Sequence, residues 1–141
     1  YWKSEYLPRI EPALCEKVIE HAATIRSPHS AVTLFQIGGA LNRLKEDHSP
    51  VGNRNARYVL NITSAWEKAD EDSANIEWTR AAWNDMKRFS TGGTYINFLT
   101  EDESAERIEA ALGKGLKRLA EVKSKWDPGN VFRTNRNIKP V

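Results

Sequence analysis

Apolar residues between Glu11 and Ile25 fall at Leu14, Val18, Ile19, Ala22 and Ile25, three and four positions apart, and predict one face of a helix. Glu11-Pro12 opens that helix, since a proline without an N–H costs nothing in a first turn, and Ser27-Pro28 ends it. The period then shortens. Residues 31–37, AVTLFQI, are β-branched and aromatic and stop at Gly38-Gly39, which predicts a strand. A polar stretch over 41–55, holding Pro50 and Gly52, reads as a loop. RYVLNI (57–62) alternates and predicts a second strand. Asp70, Glu71 and Asp72 then place negative charge where it favours a helix N-terminus. Behind them Ile76, Ala82, Trp83, Met86 and Phe89 form one apolar stripe.

Thr91-Gly92-Gly93 breaks that helix, and TYINFL (94–99) predicts a third strand. Thr100 and Glu103 fit the spacing of a capping box. The last helix is interrupted near Gly113 and Gly115, with Leu116, Leu119, Val122 and Trp126 as its inner face. Asp127-Pro128-Gly129-Asn130 predicts a turn with Pro and Gly at its centre. Residues 1–7 are aromatic and mixed, as the tail of a strand entering a loop would be. The expected fold class is α+β, an antiparallel sheet covered by helices. Three strands make a thin sheet for so many aromatic residues, so either helices cover it or further strands lie outside this chain.

Composition narrows the function classes. With 141 residues, 40% of them apolar, five Trp, four Tyr and four Phe, the chain can bury a real core. A net charge of +2 is too small to imply a polyanionic partner. Eight basic residues lie between Lys114 and Lys139, but those on the helix sit away from Leu116 and Leu119, as on a solvated face. No nucleic-acid partner is therefore expected. No apolar run is long enough to span a bilayer, and no signal-peptide pattern opens the chain, so the expectation is a cytoplasmic protein without a membrane partner. Cys15 falls on the apolar side of the first helix and reads as a buried structural thiol. The chain opens Tyr1-Trp2-Lys3 and holds one methionine, Met86, which suggests a piece of a longer protein.

Candidate chemistry is sparse. His21, His29 and His48 show no metal-ligand spacing, and only His48, in the polar loop, stays as a site candidate; no metal is expected. No nucleophile elbow, P-loop or dinucleotide fingerprint is present. Amides stand out instead. Tyr95 and Asn97 share one face of the predicted third strand, Gln36 ends the first, and Asn135 and Asn137 sit in the terminal segment. Groups that both donate and accept suit a flat heterocycle with carbonyl and N–H edges, although capping and turn bonds explain each one singly.

GGTYINFL, the helix after it and RLAEVKSKWDPGNVFRTNRNIKP together resemble the C-terminal segment of the berberine bridge enzyme-like flavoproteins. Members show a Y-x-N strand, then R-L-x-x-V-K-x-K-x-D-P-x-N-x-F, then an N-Q-x-I-x-P ending. The match runs through Tyr95, Asn97, Arg118, Leu119, Val122, Lys123, Lys125, Asp127, Pro128, Asn130, Phe132, Asn135, Ile138 and Pro140. FQIGGALNRL and SPVGNRNARYVLNI resemble the family's G-G-A-x-x-R strand end and T-A-F-x-x-R loop more loosely, with Ser49-Pro50 where Thr-Ala is usual.

The resemblance implies the C-terminal part of a FAD-dependent oxidoreductase of the vanillyl-alcohol oxidase type. Residues 1–93 would belong to its substrate-binding domain, and 94–141 would be a closing segment that returns to a FAD-binding domain outside this chain. That domain would be the chain's partner and would hold most of the FAD. A small organic substrate (sugar, alcohol or amine) would give hydride to the flavin. The isolated chain would be inactive and would self-associate through Tyr95, Phe98 and Phe132. Tyr95, Asn97 and Asn135 would approach the cofactor, and Gln36, Arg54 and Phe98 the substrate. Several members carry a tyrosine base directly after Y-x-N. Phe98 stands there and accepts no proton, which leaves Tyr58, a residue outside the chain, or no base. The alternative is a non-enzymatic module that binds a small ligand or a protein.

Overall fold

The structure, a computed structural model, describes residues 1–100, 102–134 and 136–141. Three antiparallel strands, β1 (Trp2–Leu7), β2 (Ala31–Gln36) and β3 (Tyr58–Thr63), form a sheet in the order β1-β3-β2. Helices α1 (Pro12–Ala22) and α3 (Asp72–Met86) cover one face, and α2 (Ala40–Arg43) is a single turn in the polar loop. Helices α4 (Ala105–Leu112) and α5 (Gly115–Trp126) follow, and the chain ends in an extended tail. The architecture is the expected α+β with an antiparallel sheet.

Successive side chains of a strand point to opposite faces. The register therefore sorts the sheet into rows. Lys3, Ile62 and Val32, then Glu5, Leu60 and Leu34, then Leu7, Tyr58 and Gln36, point towards the helices. There Leu7, Leu60 and Ile62 bury against Leu14 of α1 and Trp78, Ala82 and Met86 of α3. Trp78 anchors the layer, its indole N–H donating to the His21 carbonyl at 3.2 Å. Asp85 of α3 meets the His21 ring at 2.9 Å, a hydrogen bond that lowers the Asp85 carboxyl below its ordinary value. The opposite rows run Trp2, Thr63 and Ala31, then Ser4, Asn61 and Thr33, then Tyr6, Val59 and Phe35. Among the described residues no long helix covers this second face.

Several expectations need correction. The third strand is β1, not 94–99. Ile96–Phe98 coil into a 3-10 turn, with Phe98 N–H donating to the Tyr95 carbonyl at 2.9 Å. The reason is the spacing of Tyr95 and Phe98. Both pack on the second sheet face, and residues three apart in a strand would point to opposite faces. The capping box at Thr100 and Glu103 does not form. Ser104 caps α4, while Thr100 bonds Asp102 at 2.6 Å and Glu103 is taken by Lys3 and Arg107. Cys15 is exposed, as is Ile19, because α1 turns the line through Leu14 and Val18 inward and both residues sit one step, about 100°, past it. Val122 and Trp126 are exposed too, Val122 at the edge of a hollow shared with the loop at 47–50.

Two clamps hold the C-terminal half against the sheet. In one, buried Glu5 accepts from Trp83 Nε1 at 2.6 Å, from the Ser90 hydroxyl and from Arg107 Nη1 at 2.6 Å. Arg107 also donates to Glu103 at 2.6 Å and to the Ser4 carbonyl at 2.9 Å. Lys3 pairs with Asp102 and Glu103, each at 2.9 Å. In the other, the loop at 49–53 presses on the α4–α5 junction. Gly52 N–H donates to the Ala111 carbonyl at 3.0 Å, and Asn53 Nδ2 to the Ala110 carbonyl at 3.2 Å. Gly113 turns the chain there with φ +56.

Candidate functional site

The second sheet face, covered by irregular segments and not by long helices, carries an aromatic group at one end. Tyr6, Ala56 and Val59 are buried beneath Ile37, Tyr95 and Phe98. The Phe98 ring meets Tyr95 edge-on at 5.4 Å and stacks on Phe35 at 6.2 Å. Asn97 Nδ2 donates to the Tyr95 hydroxyl at 2.8 Å. The two residues read from a strand face thus do meet, but through a 3-10 turn laid across the sheet. Accepting that bond leaves the Tyr95 O–H free to donate and the Asn97 carbonyl free to accept.

Towards the other end the face turns polar. Ser4 and Thr94 share a short hydroxyl hydrogen bond. Asn61 Nδ2 donates to Thr63 Oγ1 at 2.7 Å, while buried Asn61 Oδ1 has no partner among the described residues. Buried acceptors are nearly always satisfied, so the orphan Asn61 Oδ1 singles out this part of the face. The sequence reading passed over Asn61, although its position in the alternating strand was a usable signal. A groove of about 870 Å3 adjoins this end, lined by Trp2, Ile96, Asn97, Thr134 and Arg136 among others.

The face holds no proton acceptor of ordinary basicity. Its nine strand positions contain no carboxylate, histidine or lysine. Burial, with Tyr95 adding to it and Arg54 pulling the other way, pushes the Tyr6 phenol up to about 12. At neutral pH the Tyr6 phenol therefore stays protonated and does not act as a base.

The remaining candidates lie elsewhere. Tyr58 packs with the helix-side core, in one row with Leu7 and Gln36. Gln36, Arg54 and Tyr58 line a separate hollow at the end of the sheet, beside Gly38 and Gly39. Asn135 lies outside the described residues. His48 lines a small hollow against α5, with Arg118 and Leu119. His29 is exposed near Glu67. Among the described residues no group of three or more His, Cys, Asp or Glu could hold a metal, and no helix is long and apolar enough to cross a membrane.

The tail is pinned at its turn. Asn130 N–H donates to the Asp127 carbonyl at 3.0 Å, and Asn130 takes φ +50. The Asp127 carboxylate accepts from Lys123 and from the N–H groups of Val131 at 2.8 Å and Phe132 at 3.0 Å. The Lys123 hydrogen bond is the main reason its carboxyl lies below the ordinary value. This fixes Val131 and Phe132 outward, 75% and 82% exposed.

Comparison with known proteins fits this arrangement. The family model for berberine and berberine-like proteins matches residues 94–139. A FAD-linked oxidoreductase of Dictyostelium discoideum is 28% identical over 140 residues, covering 95% of this chain and 30% of the relative. An aclacinomycin oxidase of Streptomyces galilaeus is 27% identical, over 77% of this chain and 23% of its own length. Among solved structures, the flavoenzyme CrmK of caerulomycin biosynthesis superposes with a TM-score of 0.81 at 27% identity, covering 99% of this chain and 32% of that one. A berberine bridge enzyme variant reaches 0.86 at 18% identity and shares the fold. The chain spans about 30% of the length of the first relatives it matches.

Proposed function

We propose that the chain belongs with the berberine bridge enzyme-like FAD-linked oxidoreductases it resembles, and that its second sheet face is the substrate-side wall of such an enzyme. The observation that carries the reading is the Asn97–Tyr95 hydrogen bond, held over Phe98 and Phe35 inside the matched segment.

The residues fit one part of FAD, the flat ring edge. Tyr95 offers a donor and Asn97 an acceptor. The proposed share-out gives the ring edge to Tyr95, Asn97 and Asn135, and gives the substrate to Phe98 and the Asn61 row. The rest of the cofactor falls to a FAD-binding domain of the same longer chain. The chemistry FAD supplies when bound is acceptance of a hydride from the substrate. This chain's part is to orient a small organic molecule against the aromatic floor and to exclude water above Val59 and Ala56. Because the face holds no ordinary base, the substrate proton leaves to a group outside it. A base role for Tyr58 would require the substrate at the end hollow instead. Val122, Trp126, Val131 and Phe132 form the side offered to the FAD domain, and without that domain the chain is inactive.

The test is the natural protein containing this sequence, purified from its own cells and examined by mass and visible absorbance. A longer polypeptide with flavin absorbance, weakened in Asn97→Ala, is the expected result. A colourless protein would overturn the reading in favour of a non-enzymatic binding module.

A further inference from the structure

The hollow at the end of the sheet has a charge problem of its own. Arg54 is only 4% exposed, yet its guanidinium makes no ion pair among the described residues. Nη1 donates to the Leu41 carbonyl at 3.4 Å and Nη2 to Ser49 Oγ at 2.5 Å. Glu46 is nearby, but its carboxylate accepts from the Arg54 main-chain N–H at 3.2 Å. Buried Nε has no partner. A guanidinium has five N–H donors, so two are used by these neutral acceptors and three remain. Buried charges are normally paired, because taking one out of water without a counter-charge is costly.

The surroundings favour a negative occupant. Arg54 opens on a hollow of about 510 Å3, whose wall includes Arg57 but no Asp or Glu. Gln36, Asn42 and Asn55 add amides, although Asn42 Nδ2 is already given to the carbonyls of Arg54 and Ala56. Arg57 is exposed, and among the described residues its side chain makes no hydrogen bond or ion pair. Arginine's planar fork suits paired oxygens. We propose that this hollow binds an oxyanion, a carboxylate or phosphate group, held by Arg54 at its floor and Arg57 at its rim.

The proposal is independent of the flavin reading. The hollow nevertheless borders the candidate site. Ile37 lies in both, and the Arg54 charge is felt by the Tyr6 phenol on the second sheet face.

The test follows the side-chain Nε–H signals of 15N-labelled protein during titration with acetate, and separately with inorganic phosphate, at constant ionic strength in chloride. A saturable shift of the Arg54 Nε–H signal is expected, with a dissociation constant in the millimolar range, about what one charged group supports. A response to acetate alone assigns a carboxylate ligand, and a response to phosphate alone a phosphate ligand. Arg57→Gln, at an exposed position, should fold normally and weaken binding about tenfold, the equivalent of ~1.4 kcal/mol. Arg54→Gln should abolish it, and because that change also removes bonds to Leu41 and Ser49, the Arg57 variant keeps the test decisive. An Arg54 signal unmoved by either anion, or binding unchanged in Arg57→Gln, would overturn the proposal.

Discussion

Replacing Arg107 by methionine should cost far more than removing a surface charge. The side chain is 17% exposed and reaches three acceptors: Glu5 at 2.6 Å, Glu103 at 2.6 Å and the Ser4 carbonyl at 2.9 Å. Glu5 and Glu103 side chains are 1% and 2% exposed, so losing the cation strands two carboxylates where water cannot reach them. Breaking a buried pair from one side costs ~3–5 kcal/mol. Glu5 keeps Trp83 and Ser90 and Glu103 keeps Lys3, which argues for the lower half of that range. Against a total stability of roughly 5–15 kcal/mol this is a large share. At about 3–4 °C per kcal/mol for a chain of this size, Tm should fall roughly 10–15 °C. Urea unfolding followed by circular dichroism gives the free energy directly. Arg107→Lys should recover less than half, since one ammonium cannot match a planar fork with three acceptors. In Glu5→Gln/Arg107→Met the amide still accepts from Trp83 and no charge is stranded at position 5, so the double variant should be more stable than Arg107→Met alone. A loss below about 1 kcal/mol, the value of an exposed pair, would show that the network is solvated and the clamp is not real.

Three further outcomes follow from the same contacts. Burial alone would raise the Asp102 carboxyl, but hydrogen bonds from Lys3, Thr100, Tyr1 and Arg80 outweigh it and hold the group well below the usual carboxylate range. A depressed carboxyl stabilises the fold above its unfolded value of about 3.9 and loses that contribution as pH falls, so the urea midpoint should drop below about pH 5, and less steeply in Asp102→Asn. Gly115→Ala should destabilise by ~1–3 kcal/mol despite alanine's helix propensity, because its Cβ would stand 2.6 Å from the Pro50 Cα; Gly129→Ala, with Val131 Cγ2 at 3.9 Å, is the control that should change little in a thermal melt. The isolated chain should self-associate at high concentration through the exposed side that holds Trp126 and Phe132, 74% and 82% exposed, and Trp126→Ser/Phe132→Ser should return it to a monomer by sedimentation; a wild-type chain that stays monomeric would refute this.

Period was legible in the sequence, and partnership was not. The helix entered at Asp70–Asp72, the strands read at 31–37 and 57–62, the break at Gly113 and the turn at Asp127–Asn130 each follow from local spacing or turn chemistry, and each is present, the helix as Asp72–Met86 and the strands as Ala31–Gln36 and Tyr58–Thr63. The errors share one cause. Whether TYINFL lies along a strand or coils across a sheet depends on what Tyr95 and Phe98 touch, and that is Tyr6 and Val59, more than thirty residues away. Glu103 looked like a capping residue because one of its two partners, Lys3, is far off in sequence, the other being Arg107 four residues on. Among the site residues, Tyr95, Asn97 and Phe98 were found together. Gln36 and Arg54 fell into a different hollow, because the strand register, which no local pattern reveals, sends Gln36 to the helix side.

The two halves of this molecule are finished to different standards, and the difference bears on function. On the helix side the charged residues of β1 have partners: Glu5 has three donors and Lys3 two carboxylates and a threonine. Outside the α1–α3 layer, Asn61 Oδ1, Arg54 Nε, Asn130 Oδ1 and Asn137 Oδ1 are buried without partners among the described residues, a fifth such atom, Asn75 Oδ1, lies on α3 itself, and Trp126, Val131 and Phe132 stand in solvent. Buried polar atoms are usually matched, so the four outside the α1–α3 layer and the three exposed apolar side chains call for a partner. The relatives are about three times its length and FAD-linked, which supplies a candidate for the amides and the apolar tail. It does not by itself supply a negative group for Arg54, and for that reason the oxyanion hollow stands as a question separate from the flavin.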